Sequence, residues 1–161
     1  MDAILTWTKG FFESNYQIFS NGQIKNSLLF NTWKNEAQGI GTSQSYYFRT
    51  SGFLNPTTQI FNQQQELIGT INYNSWQTKA TINMSSGEQF MWNFTNGWYS
   101  KWAVGSFQGK QILFDSNSSS GVISTNTDDE VLLLIGLFIR EFHSRLFIFL
   151  ILIILIPIIL H

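Results

Sequence analysis

Short runs of alternating apolar and polar residues occupy the chain up to about residue 125. They are separated by Asn, Gly, Ser and Gln, and no helical periodicity appears before residue 127. A period of two is typical of strands with one buried face. The dipeptides Asn21-Gly22 and Ser86-Gly87 indicate hairpin turns. The pattern predicts strands at 3–8, 16–20, 23–30, 37–41, 44–49, 57–62, 66–73, 77–84, 88–95, 98–105, 109–115 and 120–125.

An internal repeat groups these strands in fours. Residues 9–19 recur as 51–61, an offset of 42, and residues 30–33 recur as 73–76 after a one-residue insertion. A third, weaker copy starts at Gly97 and is one strand short, a vacancy that residues 3–8 can fill. We therefore expect a mainly β fold, a closed antiparallel 12-stranded barrel in which no edge is left unpaired.

A helical segment follows the predicted strands. Thr127 and Glu130 have the spacing of a capping box, and residues 131–139 are apolar on every helical face, so protein must surround them. Twelve strands enclose a cylinder about 24 Å across, which leaves about 10–12 Å for a helix once inward side chains are placed. We expect a helix at 128–142 to fill the barrel and to continue into an apolar tail. Its filling side chains are Val131, Leu132, Leu134, Ile135 and Phe138.

A second apolar stretch, residues 146–160, is interrupted only by Pro157. The charges of Arg140, Glu141 and Arg145 divide it from the first stretch, because each would cost roughly 2.5–3.5 kcal/mol inside a single membrane span. The division predicts a barrel domain at 1–142 and a membrane anchor at 146–160, about 22 Å long against a hydrocarbon core of about 30 Å. The residues assigned to the anchor are Arg145, Leu146, Phe149, Ile153 and Leu160. The alternative is that this stretch packs on the barrel exterior or in a dimer.

Composition narrows the function classes. Charged residues make up 12% of the chain, the net charge is -1 and the basic residues are scattered, which argues against nucleic-acid binding. The chain has no Cys and only two histidines, His143 and His161, so we predict no catalytic site, no metal and no cofactor. The first residues lack the features of a secretory signal. With Arg140 and Arg145 beside the anchor, this predicts a membrane protein, single-pass or monotopic, whose barrel faces the cytoplasm.

Four segments carry a resemblance to a known family: residues 68–76, 90–92 and 98–104, and the helix start at 129–134. They are similar to the tubby-like superfamily, which includes LURP-one-related proteins and phospholipid scramblases, and most nearly to its small bacterial members. The resemblance spans roughly residues 6–142 and implies a twelve-stranded barrel around a hydrophobic carboxy-terminal helix. The basic residues contain no adjacent pair of the kind that tubby domains use for phosphoinositide head groups. Asp128, Asp129 and Glu130 lack the ligand spacing of a calcium loop and fit helix capping instead.

The resulting expectation is a non-catalytic, membrane-tethered barrel that binds a lipid or a protein partner at the membrane surface. Two alternatives stay open at this point. One is a scramblase-like protein that transfers or scrambles lipids. The other is a soluble structural protein whose carboxy-terminal stretch is an interaction segment.

Overall fold

The predicted strands are all present in the computed structural model, which describes residues 2–10, 14–52 and 54–159, with side chains up to residue 156. The strands differ from their predicted bounds by at most three residues. They are β1 Ala3–Lys9, β2 Tyr16–Ser20, β3 Gln23–Phe30, β4 Glu36–Ile40, β5 Ser45–Ser51, β6 Thr57–Phe61, β7 Leu67–Tyr73, β8 Lys79–Met84, β9 Gln89–Phe94, β10 Lys101–Gly105, β11 Gln111–Asn117 and β12 Ser120–Thr125. One helix, α1, follows at Glu130–Ile159.

The strands close into an antiparallel barrel in which each pairs with its neighbours along the chain. Closure depends on β1, which pairs with β2 on one side and with β12 on the other, from Ala3 opposite Thr125 to Thr8 opposite Ser120. The predictions of a closed 12-stranded barrel and of residues 3–8 filling the vacancy are confirmed.

The internal repeat is visible in the backbone as well as in the sequence. The pairing of β2 with β3 shifts register between Ile18 and Phe19, and that of β6 with β7 shifts between Ile60 and Phe61. These two irregularities are separated by the same 42 residues as the sequence repeat. The repeat therefore places equivalent register shifts in two parts of the barrel wall.

The first part of α1 fills the barrel. Residues 131–139 are buried, and α1 contacts β3 and β4 as well as β10 and β11, which lie on opposite sides of the closed sheet. Trp92 donates a hydrogen bond from Nε1 to the Gly136 carbonyl at 3.1 Å. A side-chain carbon at Gly136 would lie 2.3 Å from the ring of Phe114, so only glycine fits there. We call residues 131–139 the plug.

The expected continuation of the helix into the apolar tail is confirmed, because α1 is continuous from Glu130 to Ile159. The charged residues between the two apolar stretches do not break it, because they make ion pairs and hydrogen bonds where the helix leaves the barrel.

Candidate functional site: the helix exit

The barrel has two different ends because consecutive strands alternate in direction. α1 enters at the end that contains the connections 21–22, 41–44, 62–66, 85–88, 106–110 and 126–129, which we call the base. It leaves at the other end, among the described residues of the loops 31–35, 52–56, 74–78 and 95–100. We call these four loops the exit rim.

At the base, the buried carboxylate of Glu130 binds the turn between β4 and β5. The Thr42 backbone N–H and hydroxyl donate to Oε2 at 2.8 and 2.6 Å, and the hydroxyls of Ser43 and Tyr46 donate to Oε1 at 2.6 and 3.0 Å. Burial alone would raise the pKa of Glu130, but these donors outweigh it and lower the pKa to about 2. A side-chain carbon at Gly41 would lie 2.3 Å from Oε1, so glycine leaves the space that the carboxylate occupies.

The helix start differs from the predicted capping box. The Glu130 carboxylate bonds to the β4–β5 turn instead of returning to Thr127, whose hydroxyl accepts a bond from the Asp129 N–H at 3.3 Å. Asp129 is the capping residue, since its carboxylate accepts backbone hydrogen bonds from Val131 and Leu132. The capping box is therefore corrected: the acidic residue one position earlier caps the helix, which frees Glu130 to fix it to the wall.

At the exit, Glu141 makes a second set of buried contacts between the helix and the barrel wall. Lys9 Nζ and the Tyr16 hydroxyl each contact Oε2 at 2.6 Å, and Arg145 Nε lies 3.4 Å from Oε1. Burial would raise the pKa of Glu141, but the hydrogen bond and charge of Lys9, together with hydrogen bonds from Tyr16 and Ser14, lower the pKa below its ordinary value. Arg145 also donates to the Asn31 carbonyl at 3.1 Å. The helix is thus held to β1, β2 and the exit rim where it emerges.

Beyond Glu141 and Arg145 the helix is no longer enclosed by the barrel. Leu146 is half-buried, and the ten residues 147–156 are all apolar and exposed, with accessible fractions of 38% to 64%. Among the described residues, no helical stretch combines the length and hydrophobicity needed to cross a membrane. We call residues 147–156 the exposed tail.

The exit rim carries large exposed aromatic residues. Trp33 is 93% exposed, Trp76 73% and Trp98 91%, and each lies in a different rim loop. Leu54, in a fourth loop, is 84% exposed. The repeat places Trp33 and Trp76 at equivalent positions of two copies. Among the described loop residues, Phe107 is the other large apolar side chain with an exposure comparable to that of the rim tryptophans, and it lies at the base.

Clefts separate the rim loops from the helix. One of them has a volume of about 440 Å³ and lies between Trp76 and Tyr99 of the rim and His143, Leu150 and Ile154 of the helix. Burial, and then the charge of Arg140, lowers the pKa of His143, so this imidazole is neutral at pH 7. The cleft is mainly apolar and opens along the exposed tail.

The residues predicted from sequence fall into three places. The plug residues Val131, Leu132, Leu134, Ile135 and Phe138 lie inside the barrel. Of the residues assigned to the anchor, Arg145 and Leu146 lie at the exit, Phe149 and Ile153 lie in the exposed tail, and Leu160 is outside the described residues. The anchoring of 146–160 in a membrane stays a prediction.

Sequence reasoning missed the two buried carboxylates and the grouping of the tryptophans at one end. Glu141 carried a detectable signal. It lies seven residues after Leu134 and three after Phe138, on the same helical face as the plug, so its charge needed a partner inside the barrel.

Comparison with known proteins assigns no family: no family model matches the chain, and no curated protein or solved structure is similar to it. The resemblance to the tubby-like superfamily stays a prediction. Among the described residues, no group of His, Asp and Glu side chains could hold a metal ion.

Proposed function

We propose that this protein is a non-catalytic barrel held at a membrane surface by insertion of its exposed tail into lipid. The observation that carries the proposal is the run of ten consecutive exposed apolar residues, which continues a helix whose first part is buried in the barrel. Such a large contiguous apolar surface marks a site of interaction with a membrane or a partner. The exposed apolar side chains cover every face of the helix, and lipid would surround the helix in the same way.

The length of the tail favours a monotopic arrangement. Ten helical residues extend about 15 Å, which is half of a hydrocarbon core of about 30 Å. Leu, Ile and Phe each gain roughly 0.3–0.6 kcal/mol in a membrane-inserted helix, so the described tail supplies roughly 3–6 kcal/mol. That is enough for reversible attachment.

The continuity of α1 gives this attachment a mechanical consequence. The plug is enclosed by the barrel wall, Glu130 binds the base and Glu141 binds β1 and β2. A tail inserted in lipid is therefore rigidly coupled to the whole barrel, without a flexible linker. We propose that the barrel faces the cytoplasm, with Arg140 and Arg145 next to the membrane, as the positive-inside rule favours.

Lipid attachment is favoured over lipid scrambling and over binding of a protein partner or a second copy. A scrambling path through the bore would require an open lumen, whereas the plug residues are buried and fill it. A protein partner or a second copy would cover one face of the tail, whereas exposed apolar residues occupy all faces.

Vesicle flotation tests the proposal. The full chain should float with phosphatidylcholine vesicles, and the double variant Ile151→Glu with Ile154→Glu should stay at the bottom of the gradient. The matched control, Leu113→Glu with Val122→Glu, adds the same charge to exposed positions of the barrel wall and should float like the wild type. Equal flotation of both variants would refute insertion of the tail, and so would a wild-type protein that forms dimers without binding vesicles.

A further inference from the structure

We infer that the exit rim is itself a membrane-docking surface, and that it fixes the barrel upright on a bilayer rich in anionic phospholipids. This rests on the proposed insertion of the tail, because the rim surrounds the point where the tail leaves the barrel. It goes further in assigning a second contact, a lipid preference and an orientation.

The exposed tryptophans are grouped at one end of the barrel. The chain has six tryptophans. Trp7, Trp92 and Trp102 are buried in the core, whereas Trp33, Trp76 and Trp98 are exposed, and all three exposed ones lie on the exit rim. Tryptophan favours the membrane–water interface, where its ring is in an apolar layer and its N–H reaches polar groups. Leu54 adds an apolar side chain to the fourth rim loop.

Charge is unevenly distributed between the two ends of the barrel. Among the described residues, six basic and three acidic side chains lie toward the exit, against three basic and six acidic toward the base. The exit group consists of Lys9, Lys34, Lys79, Lys101, Arg140 and Arg145 with Glu36, Asp115 and Glu141. The base group consists of Lys25, Arg49 and Lys110 with Asp2, Glu66, Glu88, Asp128, Asp129 and Glu130. Arg49 belongs to the base because its guanidinium donates to Gln65 of the connection 62–66 at 2.8 Å.

Among the described residues, the exit is therefore positive and the base negative. An anionic bilayer attracts the exit and repels the base. The charge asymmetry therefore favours the same orientation as the tail and the tryptophans. Lys34 and Lys79 are exposed on or beside the rim loops, within reach of lipid phosphates once the tail is inserted.

A bilayer fits this surface better than a protein partner does. The three tryptophans stand on separate loops around a protruding apolar helix, so a single partner would need to enclose both the helix and the loops. A lipid surface contacts them all at once. The base then projects away from the membrane.

Tryptophan accessibility tests the orientation. Full-length protein is titrated with acrylamide, alone and bound to vesicles that contain phosphatidylglycerol. Without vesicles, about half of the tryptophans should be accessible. On vesicles, these accessible tryptophans should be protected from quenching by acrylamide. The triple variant Trp33→Ser, Trp76→Ser, Trp98→Ser should have no accessible tryptophan fraction, with or without vesicles. The control Phe107→Ser removes an equally exposed aromatic side chain at the base and should behave like the wild type.

Lipid preference is tested with a pair of charge-matched variants. The variant Lys34→Gln with Lys79→Gln should lose about fivefold per lysine, about 25-fold together, in partitioning to phosphatidylglycerol vesicles at low salt, with unchanged binding to phosphatidylcholine. The control, Lys25→Gln with Lys110→Gln, changes the net charge equally at the base and should keep the preference.

The outcomes separate this inference from the proposed function. Vesicle binding with quenchable tryptophans, or with equal affinity for both lipids, would overturn docking of the rim and leave tail insertion standing. Absence of vesicle binding by the wild type would overturn both. Protection of the tryptophans without vesicles, increasing with protein concentration, would show that a second copy covers the rim and would also overturn the inference.

Discussion

Glu130 should stabilise the barrel through its charge, and Glu130→Gln isolates that contribution. The substitution keeps the size of the side chain but removes the negative charge that four donors from Thr42, Ser43 and Tyr46 surround. The carboxyl has a pKa of about 2 in the folded protein, against an ordinary value of 4.5. That difference corresponds to at most about 3 kcal/mol of stability at neutral pH. Since Thr42 and Ser43 are exposed and water screens part of the interaction, we expect about 2 kcal/mol.

The sign of the pH dependence follows from the lowered pKa. Ionised Glu130 stabilises the folded state at every pH above about 4.5, and this stabilisation disappears as the pH falls from 4.5 toward 2. The free energies of unfolding of the wild type and of Glu130→Gln should therefore differ by about 2 kcal/mol at pH 7.5, by less than half of that at pH 3, and hardly at all at pH 2.

The assay is urea unfolding in a non-ionic detergent, followed by the fluorescence of the buried tryptophans. Glu66→Gln is the control, because Glu66 is an exposed glutamate at the same end of the barrel whose carboxylate accepts a bond from Asn62. It should change the free energy of unfolding by less than about 0.5 kcal/mol. A loss for Glu130→Gln that is equally large at pH 7.5 and pH 2 would refute the reasoning, because it would show that shape rather than charge matters.

Three further predictions concern the plug and the closure of the barrel. Leu134→Asp should prevent folding, because an unpaired buried charge costs several kcal/mol, whereas Ile148→Asp in the exposed tail should fold; circular dichroism compares them. Gly136→Ala should lower stability by about 1–3 kcal/mol, since its methyl group meets an aromatic ring of β11, while Gly97→Ala enters open space and should be near neutral in thermal unfolding. Deleting residues 3–8 should leave β2 and β12 with unpaired edges and cause aggregation in size-exclusion chromatography; an equally stable monomer would contradict this.

The barrel could be predicted because each of its determinants is local or repeated. Alternation marks the strands, dipeptides such as Asn21-Gly22 mark turns, and both residues of that turn have positive φ, as a type I′ turn requires. The missing strand of the third copy then led to β1. Because residues 131–139 are all apolar, they had to be buried. Because the barrel is closed, its bore was the place where a helix could be buried.

The contacts at the two ends of the plug could not be predicted in the same way. Glu130 binds residues 84 to 88 positions away, and Glu141 binds Lys9 from 132 positions away. A local pattern assigned Glu130 to a capping box, but its carboxylate accepts hydrogen bonds from the β4–β5 turn instead. Asp129 caps the helix in its place. Likewise, the sequence predicted that the helix continues past the charges at 140–145, but not that Glu141 pairs there with Lys9 and Arg145.

The rim tryptophans show how topology adds information that a sequence pattern lacks. In the sequence, Trp33, Trp76, Trp92, Trp98 and Trp102 are scattered, and alternation in strands favours core or wall positions. The strand bounds separate them: Trp92 and Trp102 point into the core, and the other three fall in connections. Only the alternation of strand direction places those three connections at one end, around the emerging helix.

The central claim is that the exposed tail enters lipid while the base stays in water, and the absence of cysteine allows a direct measurement. A single cysteine, Ile151→Cys or Gln108→Cys, is labelled with an environment-sensitive fluorophore in the full chain and mixed with vesicles whose acyl chains carry bromine. We expect blue-shifted emission and strong quenching at position 151, with unchanged aqueous emission at position 108. Aqueous emission at position 151 in the presence of vesicles, or a blue shift there that appears without lipid, would contradict the claim.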